Sequence, residues 1–551
     1  MALQLIQWDK KQRKEKKRMK RFHLFLAVLV AAGVVFMGSL DLSHAISRSE
    51  ILNVAKYNVM TSADPHTSTY NDMSMYIDGN IYEGLVTISP EDITKVEPVL
   101  ATSWVITPDG LTYTFTLRKG VKFNDGTPFN AEAVKFNFER LLALKKGGSY
   151  GGLKVIEKVD VLDEDKVQIK LKQNFPFLAV SRYSFMVSPT AVKNHSTAED
   201  KWAQNWLANH SAGTAPYMIQ DWAHEVNITL IQNPHYWRKW KANQFKVVNI
   251  RSIYESDVQR MLLEKGDLDI AMIISRDSLP ELKKNPKVWS TQNVSPAPMY
   301  LLFNFLTAPT NNILFRKALA HAWDHEAYAR ARGGFAPRAD GPIPALLLGK
   351  DYQLKNPYPY DLNKAKDLLN QAGVKPGLTL NVLSQKGDEQ KRMIYEVFQS
   401  EVAKLGIKTN YHEKTFEGMT ETVKDRTLML DPVNAMHIVV LYKSLDVVSP
   451  WNFLYKVFSC ETHMDKPTGM INLGYYCNPQ VDDMTKQGVA AVDPKKAISL
   501  YKQSNQMIMD DCAAIFIDKQ VEDVVMRANV AGYRPRVFTP RQFYFFELYR
   551  K

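Results

Sequence analysis

Apolar and polar positions alternate strictly along "TYTFTLRKGVKF", Thr112 to Phe123, with Thr and aromatic residues in the manner of a half-buried strand. Asn124-Asp125-Gly126 then supplies a turn, because Asn and Gly accept positive φ at little cost. Thr127-Pro128 or Asn130 starts a helix in which Val134, Phe138, Leu141 and Leu142 recur at i, i+4, i+7 and i+8. The stretch "LRKGVKFNDGTPFNAEAVKF" therefore reads as strand, turn and helix, and its residues are explained without any catalytic role.

The same reading extends along the chain. "ILNVAKYNVM" from Ile51 predicts a strand broken by "TSADPHTSTYND", and "MYIDGNIYEGLVTI" a helix delivering a strand. "KKGGSYGG" predicts a flexible loop and "VIEKVDVLDEDKVQIKL" a hairpin, followed by amphipathic helix and strand segments over 193–230. "VVNIRSIY" and "SDVQRMLLEKGDLDIAM" predict strand, helix, strand; "APMYLLFNF" predicts a strand before a single helix, "NILFRKALAHAWDHEAYAR". "YDLNKAKDLLNQAGVKPGLTLNVL" and "QKRMIYEVFQSEVAKLGIKTNYHEK" each give helix then strand, and "KKAISLYKQSNQMIMDDCAAIFI" a last long helix ahead of terminal strands. With no internal repeat and no low-complexity linker, the pattern is that of an α/β or α+β chain of several lobes.

Length agrees, since 551 residues suggest about three folding units. Charge changes the picture more. Nine of the 70 Lys and Arg, but only three of the 58 Asp and Glu, lie in the first 45 residues, so half of the +12 excess sits there. The remainder carries no concentrated basic stripe, which argues against nucleic-acid binding. The basic run leads into the apolar Phe22–Leu40 and the exit Ser43-His44-Ala45, the three parts of a cleavable secretory signal over residues 1–45. An uncleaved anchor is the alternative reading, because Phe22–Leu40 is near the length that spans a bilayer. No Cys follows to take a lipid, which points to a periplasm.

Candidate chemistry is sparse. Cys460 and Cys477 can close a local disulfide in an oxidising compartment, leaving Cys512 buried on an apolar helix; free thiols, or a metal shared with His463, are the alternatives. Gly147-Gly148-Ser149-Tyr150-Gly151 matches G-x-S-x-G but lacks the preceding buried strand that a nucleophile elbow needs, so a secreted serine hydrolase using Ser149 is a rival reading only. His321 and His325 stand four apart on one predicted helix without the metalloprotease Glu or a third ligand, and no metal is expected. No phosphate-binding loop occurs and no cofactor is expected. Asp446 lies among apolar residues between the strand-like "MHIVVLY" and a helix start at Ser449, walled by Tyr442 and Trp451. It is either an ammonium-binding carboxylate or a helix-capping surface Asp.

Taken in order, "SWVITPDGLTYTFTLRKGVKFNDGTPFNAEAVKFNFER", "GTAPY" with "NPHYW", "FNF", "FRKALAHAWD", "YDLNKAKDLLNQAG" and "LYKQSNQMIMDDCAAIFI" resemble the family 5 extracellular solute-binding proteins of ABC transporters, the dipeptide and oligopeptide-binding group. The resemblance implies an α/β fold of the large, three-domain type II periplasmic binding protein kind, with a ligand cleft between two lobes. Lobe 1 would comprise 46–93, 212–303 and 522–551, an inserted domain 94–211, and lobe 2 residues 304–521. It implies a non-catalytic monomer that captures short peptides and presents them to an inner-membrane ABC permease. It also implies that Asp446 holds the peptide ammonium, that Lys443, Tyr442, Trp451, Tyr70 and Asn304 line the site, and that Cys460 and Cys477 are joined. Lys443 stands where peptide binders of the family commonly have Trp, Ser449 where they have a second acidic residue, and Ala215 where Gly is usual. A zwitterionic or acidic ligand also suits Lys443. Nickel chelates, opines and oligosaccharides are other solutes of the family, and a membrane-tethered interaction protein held by Phe22–Leu40 is the reading from a different class.

Overall fold

The strand, turn and helix read from Thr112 onward form as expected. Thr112–Leu117 is a strand with alternating burial, and Gly126 takes φ 82° in the turn. Asp125 organises that turn: Oδ1 accepts from Thr127 N at 2.9 Å and Thr127 Oγ1 at 2.5 Å, while Oδ2 accepts from Ser188 Oγ at 2.5 Å. Asn124 donates its backbone N–H to Gly213 O at 2.8 Å, tying the turn to a distant segment. Gly213 is required there, because a Cβ would lie 2.0 Å from Ile81 O. Asn130, not Thr127, caps the helix Ala131–Leu144 by accepting from Ala133 N.

The computed structural model describes residues 47–551 except 57–59, 69–71, 183, 350–351, 353–355, 376, 445–446 and 537–541, so the expected leader over 1–45 lies outside the described residues. A four-stranded antiparallel sheet, ordered Ala101–Ile106, Thr112–Leu117, Lys166–Leu171, Ile156–Asp163, packs on the helix Ala131–Leu144 around Phe115, Phe138 and Phe177.

Ten further strands make one large sheet. Its order is Lys408–Lys414, Thr379–Gln385, Ile438–Tyr442, Val288–Phe303, Ala514–Arg527, Ile270–Ala271, Ile51–Lys56, Val247–Ser252, Asn227–Gln232, Tyr217–Ala223. Parallel pairs occur on both sides, Thr379–Gln385 with Lys408–Lys414 and Ile51–Lys56 with Val247–Ser252. Two long strands of 16 and 14 residues, Val288–Phe303 and Ala514–Arg527, join the halves. Val288–Val294 pairs with Val521–Arg527, Pro298 with Lys519, and Tyr300–Leu302 with Ala514–Phe516, with register shifts on either side of Pro298. Burial changes at the same seam: Val288–Val294 is partly or fully exposed, while Ser295–Phe303 is buried throughout.

Three sequence expectations are corrected. Gly147–Leu153 is a short helix, not a flexible loop. Gly147 takes φ 72° where a Cβ would sit 2.8 Å from His66 O and 2.9 Å from Ser68 O, and Leu153 is buried. The expected single helix after Asn311 is two, Ile313–His321 and His325–Ala331, because Asp324 caps the second by accepting from Ala327 N. Cys512 is buried but lies past the helix Pro494–Asp510, in a left-handed conformation with φ 48° before the strand. Burial pushes its thiol up to about 12.

Candidate binding site

Three of the expected site residues, Tyr442, Lys443 and Trp451, are described around one corner. Tyr442 ends the strand Ile438–Tyr442 opposite Met299, half-buried. Lys443 follows, 2 % exposed; its backbone N–H reaches Pro298 O at 3.1 Å, beside the register shift. Its ammonium donates to Ser444 O at 2.6 Å and lies 5.5 Å from the Phe453 ring. Ser449 caps the helix Pro450–Phe458, which places Trp451 edge-on to Phe175 at 5.2 Å and stacked on Tyr455. Phe175 belongs to the core of the four-stranded unit, and Asn174 Nδ2 donates to Ala490 O and Ala491 O at 3.4 Å, so that unit bridges to the far half of the molecule here. Tyr70 and Asp446 lie outside the described residues.

Asn304 is placed elsewhere. It stands just past the opposite end of Ile438–Tyr442 from Tyr442, against His437 and about 16 Å along the strand at ~3.3 Å per residue. It is fully buried, donating Nδ2 to Met429 O at 2.8 Å and accepting from Leu306 N at 2.9 Å. Its side chain is committed to holding the turn after Phe303.

Cys460 and Cys477 are joined in a disulfide with Cα atoms 4.4 Å apart, and His463 places Nε2 against Tyr476 O at 3.1 Å. The two other histidines of interest are on separate helices and each faces a carbonyl, His321 Nδ1 to Pro359 O and His325 Nε2 to Ala336 O, both at 2.8 Å. Ser149 lies in the short helix after Ala131–Leu144, with no strand leading into it.

A cavity of about 230 Å³ opens beside the Val86–Ile88/Val96–Pro98 hairpin, whose Val86 and Val99 neighbours share a core with Val447 and Trp451. Four segments far apart in sequence supply Glu83, Arg182, Tyr236 with Arg238, and Arg534 with Arg536 to its polar wall, and Glu97 and Glu547 add carboxylates. Glu83, 8 % exposed, accepts from Thr214 Oγ1 at 2.9 Å and Trp237 Nε1 at 3.0 Å. Burial nevertheless raises its carboxyl to about 7. Two guanidinium groups lie over the Trp237 ring, Arg118 at 4.2 Å and Arg238 at 4.5 Å from its centroid. Arg536 pairs with Glu547 at 2.7 Å and lies 3.8 Å from the Tyr544 ring. Sequence reasoning gave none of these residues a role in the site, although Thr214 falls in "GTAPY" and Tyr236 and Trp237 in "NPHYW".

Comparison with known proteins bears on both regions. Residues 95–465 match the bacterial extracellular solute-binding proteins, family 5 Middle. The chain belongs to this family. As a family 5 protein it is a transport binding protein, not an enzyme; it binds a peptide or other small solute and delivers it to an ABC permease. It is 31 % identical to the probable D,D-dipeptide-binding periplasmic protein DdpA of Escherichia coli (strain K12), across 95 % of this chain and 98 % of that protein. It is 27 % identical to the glutathione-binding protein GsiB of Shigella flexneri serotype 5b, across 88 % and 91 %. The fold matches the ABC transporter-associated periplasmic binding protein DppA from Helicobacter pylori, in complex with peptide STSA, with a TM-score of 0.76 at 25 % identity over 91 % of this chain and 98 % of that one. The family 5 architecture is two-lobed α/β, as the sequence led one to expect. No helix among the described residues is long and apolar enough to cross a membrane.

Proposed function

We propose that this family 5 protein captures short peptides between the two halves of its sheet, in the periplasm after loss of residues 1–45, and hands them as a monomer to an inner-membrane ABC permease. The observation that carries the reading is the end-to-end likeness to the relative named for D,D-dipeptides. Asp446 takes the peptide ammonium at a corner walled by Tyr442, Trp451 and Tyr70, where a charge-assisted contact is strong because water is thinned. Lys443, already buried beside that position, limits the negative charge there or meets a ligand carboxylate. Asn304 contributes from beneath, by fixing the backbone after Phe303. Nucleic acid is not a partner, since half of the basic excess lies in the leader.

Capture is a population shift in which contacts from both halves favour the shut form. Calorimetric titration with Ala-Ala in its L,L and D,D forms tests the reading. Asp446→Ala is expected to weaken binding by about 2–4 kcal/mol. Unchanged affinity in that variant removes Asp446 from the site. Failure of both dipeptides, with a non-peptide mass co-purifying in native mass spectrometry, moves the function to another solute such as a nickel chelate, opine or oligosaccharide.

A further inference from the structure

One group of charged side chains lies away from the binding corner, at the crossover between the sheet halves. Asp518 is fully buried on Ala514–Arg527, next to Lys519, the partner of Pro298 at the register shift. Its carboxylate accepts from Arg332 Nη1, from Tyr328 Oη at 2.9 Å and from Gln390 Nε2 at 3.1 Å. Tyr328 and Arg332 come from the helix His325–Ala331 and its end, and Gln390 from Glu389–Ala403, all on the far half. From the near half comes Arg276, in the single turn Arg276–Ser278 that follows Ile270–Ala271. Arg276 donates Nη2 to Val521 O at 3.4 Å, and its Nε lies 3.7 Å from Asp523 Oδ2.

Arg276 is thus anchored from the near half on the same strand that Arg332 meets from the far half, three and five residues beyond Asp518. After burial, the charge of Arg332 is the largest influence lowering the Arg276 pKa, while Asp523, Tyr328 and Asp518 oppose it. Arg332 Nη2 is buried with no acceptor among the described residues. The other nearby charges are already matched: Lys519 pairs with Asp340 at 2.8 Å, and Arg338, whose backbone bridges to Asp518, sends its side chain to Glu326 at 3.1 Å.

We propose that Asp518 is the counter-ion of an electrostatic latch on the hinge: its negative charge holds Arg332 of one half on the strand that also anchors Arg276 of the other, and its neutralisation releases the halves from the arrangement seen here. The latch rests on the closure reading given above but not on the identity of the ligand. Burial raises the Asp518 carboxyl to about 6 against the pull of Arg332, Tyr328 and Arg276, so a modest fall in pH operates it. Proton uptake leaves Arg332 without its buried counter-ion while Arg276 stays fixed to the same strand, and the halves separate to relieve the excess positive charge.

Spin labels at Leu162→Cys and Val492→Cys, both exposed positions on the two sides of the Asn174 bridge, measure the separation without ligand; Cys512 is buried and does not label. Asp518→Asn at about pH 7.5 is expected to raise the long-distance population about fivefold, an ordinary coupling strength. The same rise appears in the parent on going to about pH 5, and adding Arg276→Gln reverses both. A parent-like distance distribution in Asp518→Asn, or a shift that Arg276→Gln does not reverse, overturns the latch. Should Asp518→Asn fail to fold, Arg276→Gln alone decides: loss of the pH response supports the latch and its persistence rejects it. Adding Ala-Ala to the labelled parent tests the peptide reading separately, since a latch that works without a dipeptide response leaves only that reading in error.

Discussion

Two fully buried Asp–Arg pairs do opposite jobs in this protein. Asp64 and Arg140 meet through two parallel hydrogen bonds of 2.8 and 2.7 Å. Arg140 spends its remaining donors on Trp202 O and on His66 Nδ1, and His66 Nε2 in turn donates to Phe185 O. Every donor of that guanidinium has an acceptor, which makes the pair a weld between the loop after Met60 and the helix Ala131–Leu144. Asp518 and Arg332 are equally buried, but one guanidinium nitrogen has no acceptor among the described residues and a second cation, Arg276, is bound further along the same strand. The lesson is that burial of an ion pair does not set its role; completeness of the hydrogen bonding around it does.

The largest test of the contrast is to break the weld. Arg140→Ala strands the Asp64 carboxylate in the core and should cost about 3–5 kcal/mol in urea unfolding, whereas Asp518→Asn, which also removes an expensive buried charge, should cost about 1 kcal/mol or less at neutral pH. Equal losses would mean that both pairs are welds.

The two sites should also respond to acid with opposite sign. Burial, then the Arg140 charge, holds His66 down to about 4, so on acidification the unfolded chain takes a proton near 6.5 that the folded chain refuses, and stability falls. Asp518 binds its proton at about 6 when folded, above its ordinary 3.8, so the folded chain takes the proton first and stability rises as pH drops through that window. Unfolding midpoints at about pH 7 and about pH 4.5 should show His66→Gln removing an acid loss of about 2.4 kcal/mol, and Asp518→Asn removing an acid gain of about 2 kcal/mol. The smallest effect serves as a control: Asn130→Ala uncaps the helix that carries Arg140 without touching the pair, for about 1 kcal/mol and no change in pH slope.

What was legible in the sequence follows from which forces are local. The Thr112–Leu144 segment was readable because strand alternation, an Asn-Asp-Gly turn and a helical apolar stripe are all short-range signals. Only the buried half of Val288–Phe303 was readable, since "VWSTQNV" is polar and finds its strand partner more than two hundred residues away in Val521–Arg527. The break at Asp324 was missed because its flanks keep one apolar period, although an Asp followed by helix formers is also a cap. For the binding region, the Lys443–Trp451 corner was visible as a charged group in an apolar run. The arginine-bordered cavity was not, because each wall is an ordinary basic or aromatic residue until four separate segments bring them together.

The central position of Ala514–Arg527, between Val288–Phe303 and Ile270–Ala271, also governs the order of assembly. The keystone of the sheet is thus the last of its ten strands along the chain, and the nine others are all made before it. Until it arrives, the two halves of the sheet each present an open edge, the geometry that invites pairing with the wrong partner. The finished sheet therefore forms only once almost the whole chain is available, and a chain ending before Ala514 is left as two half-sheets with nothing between them.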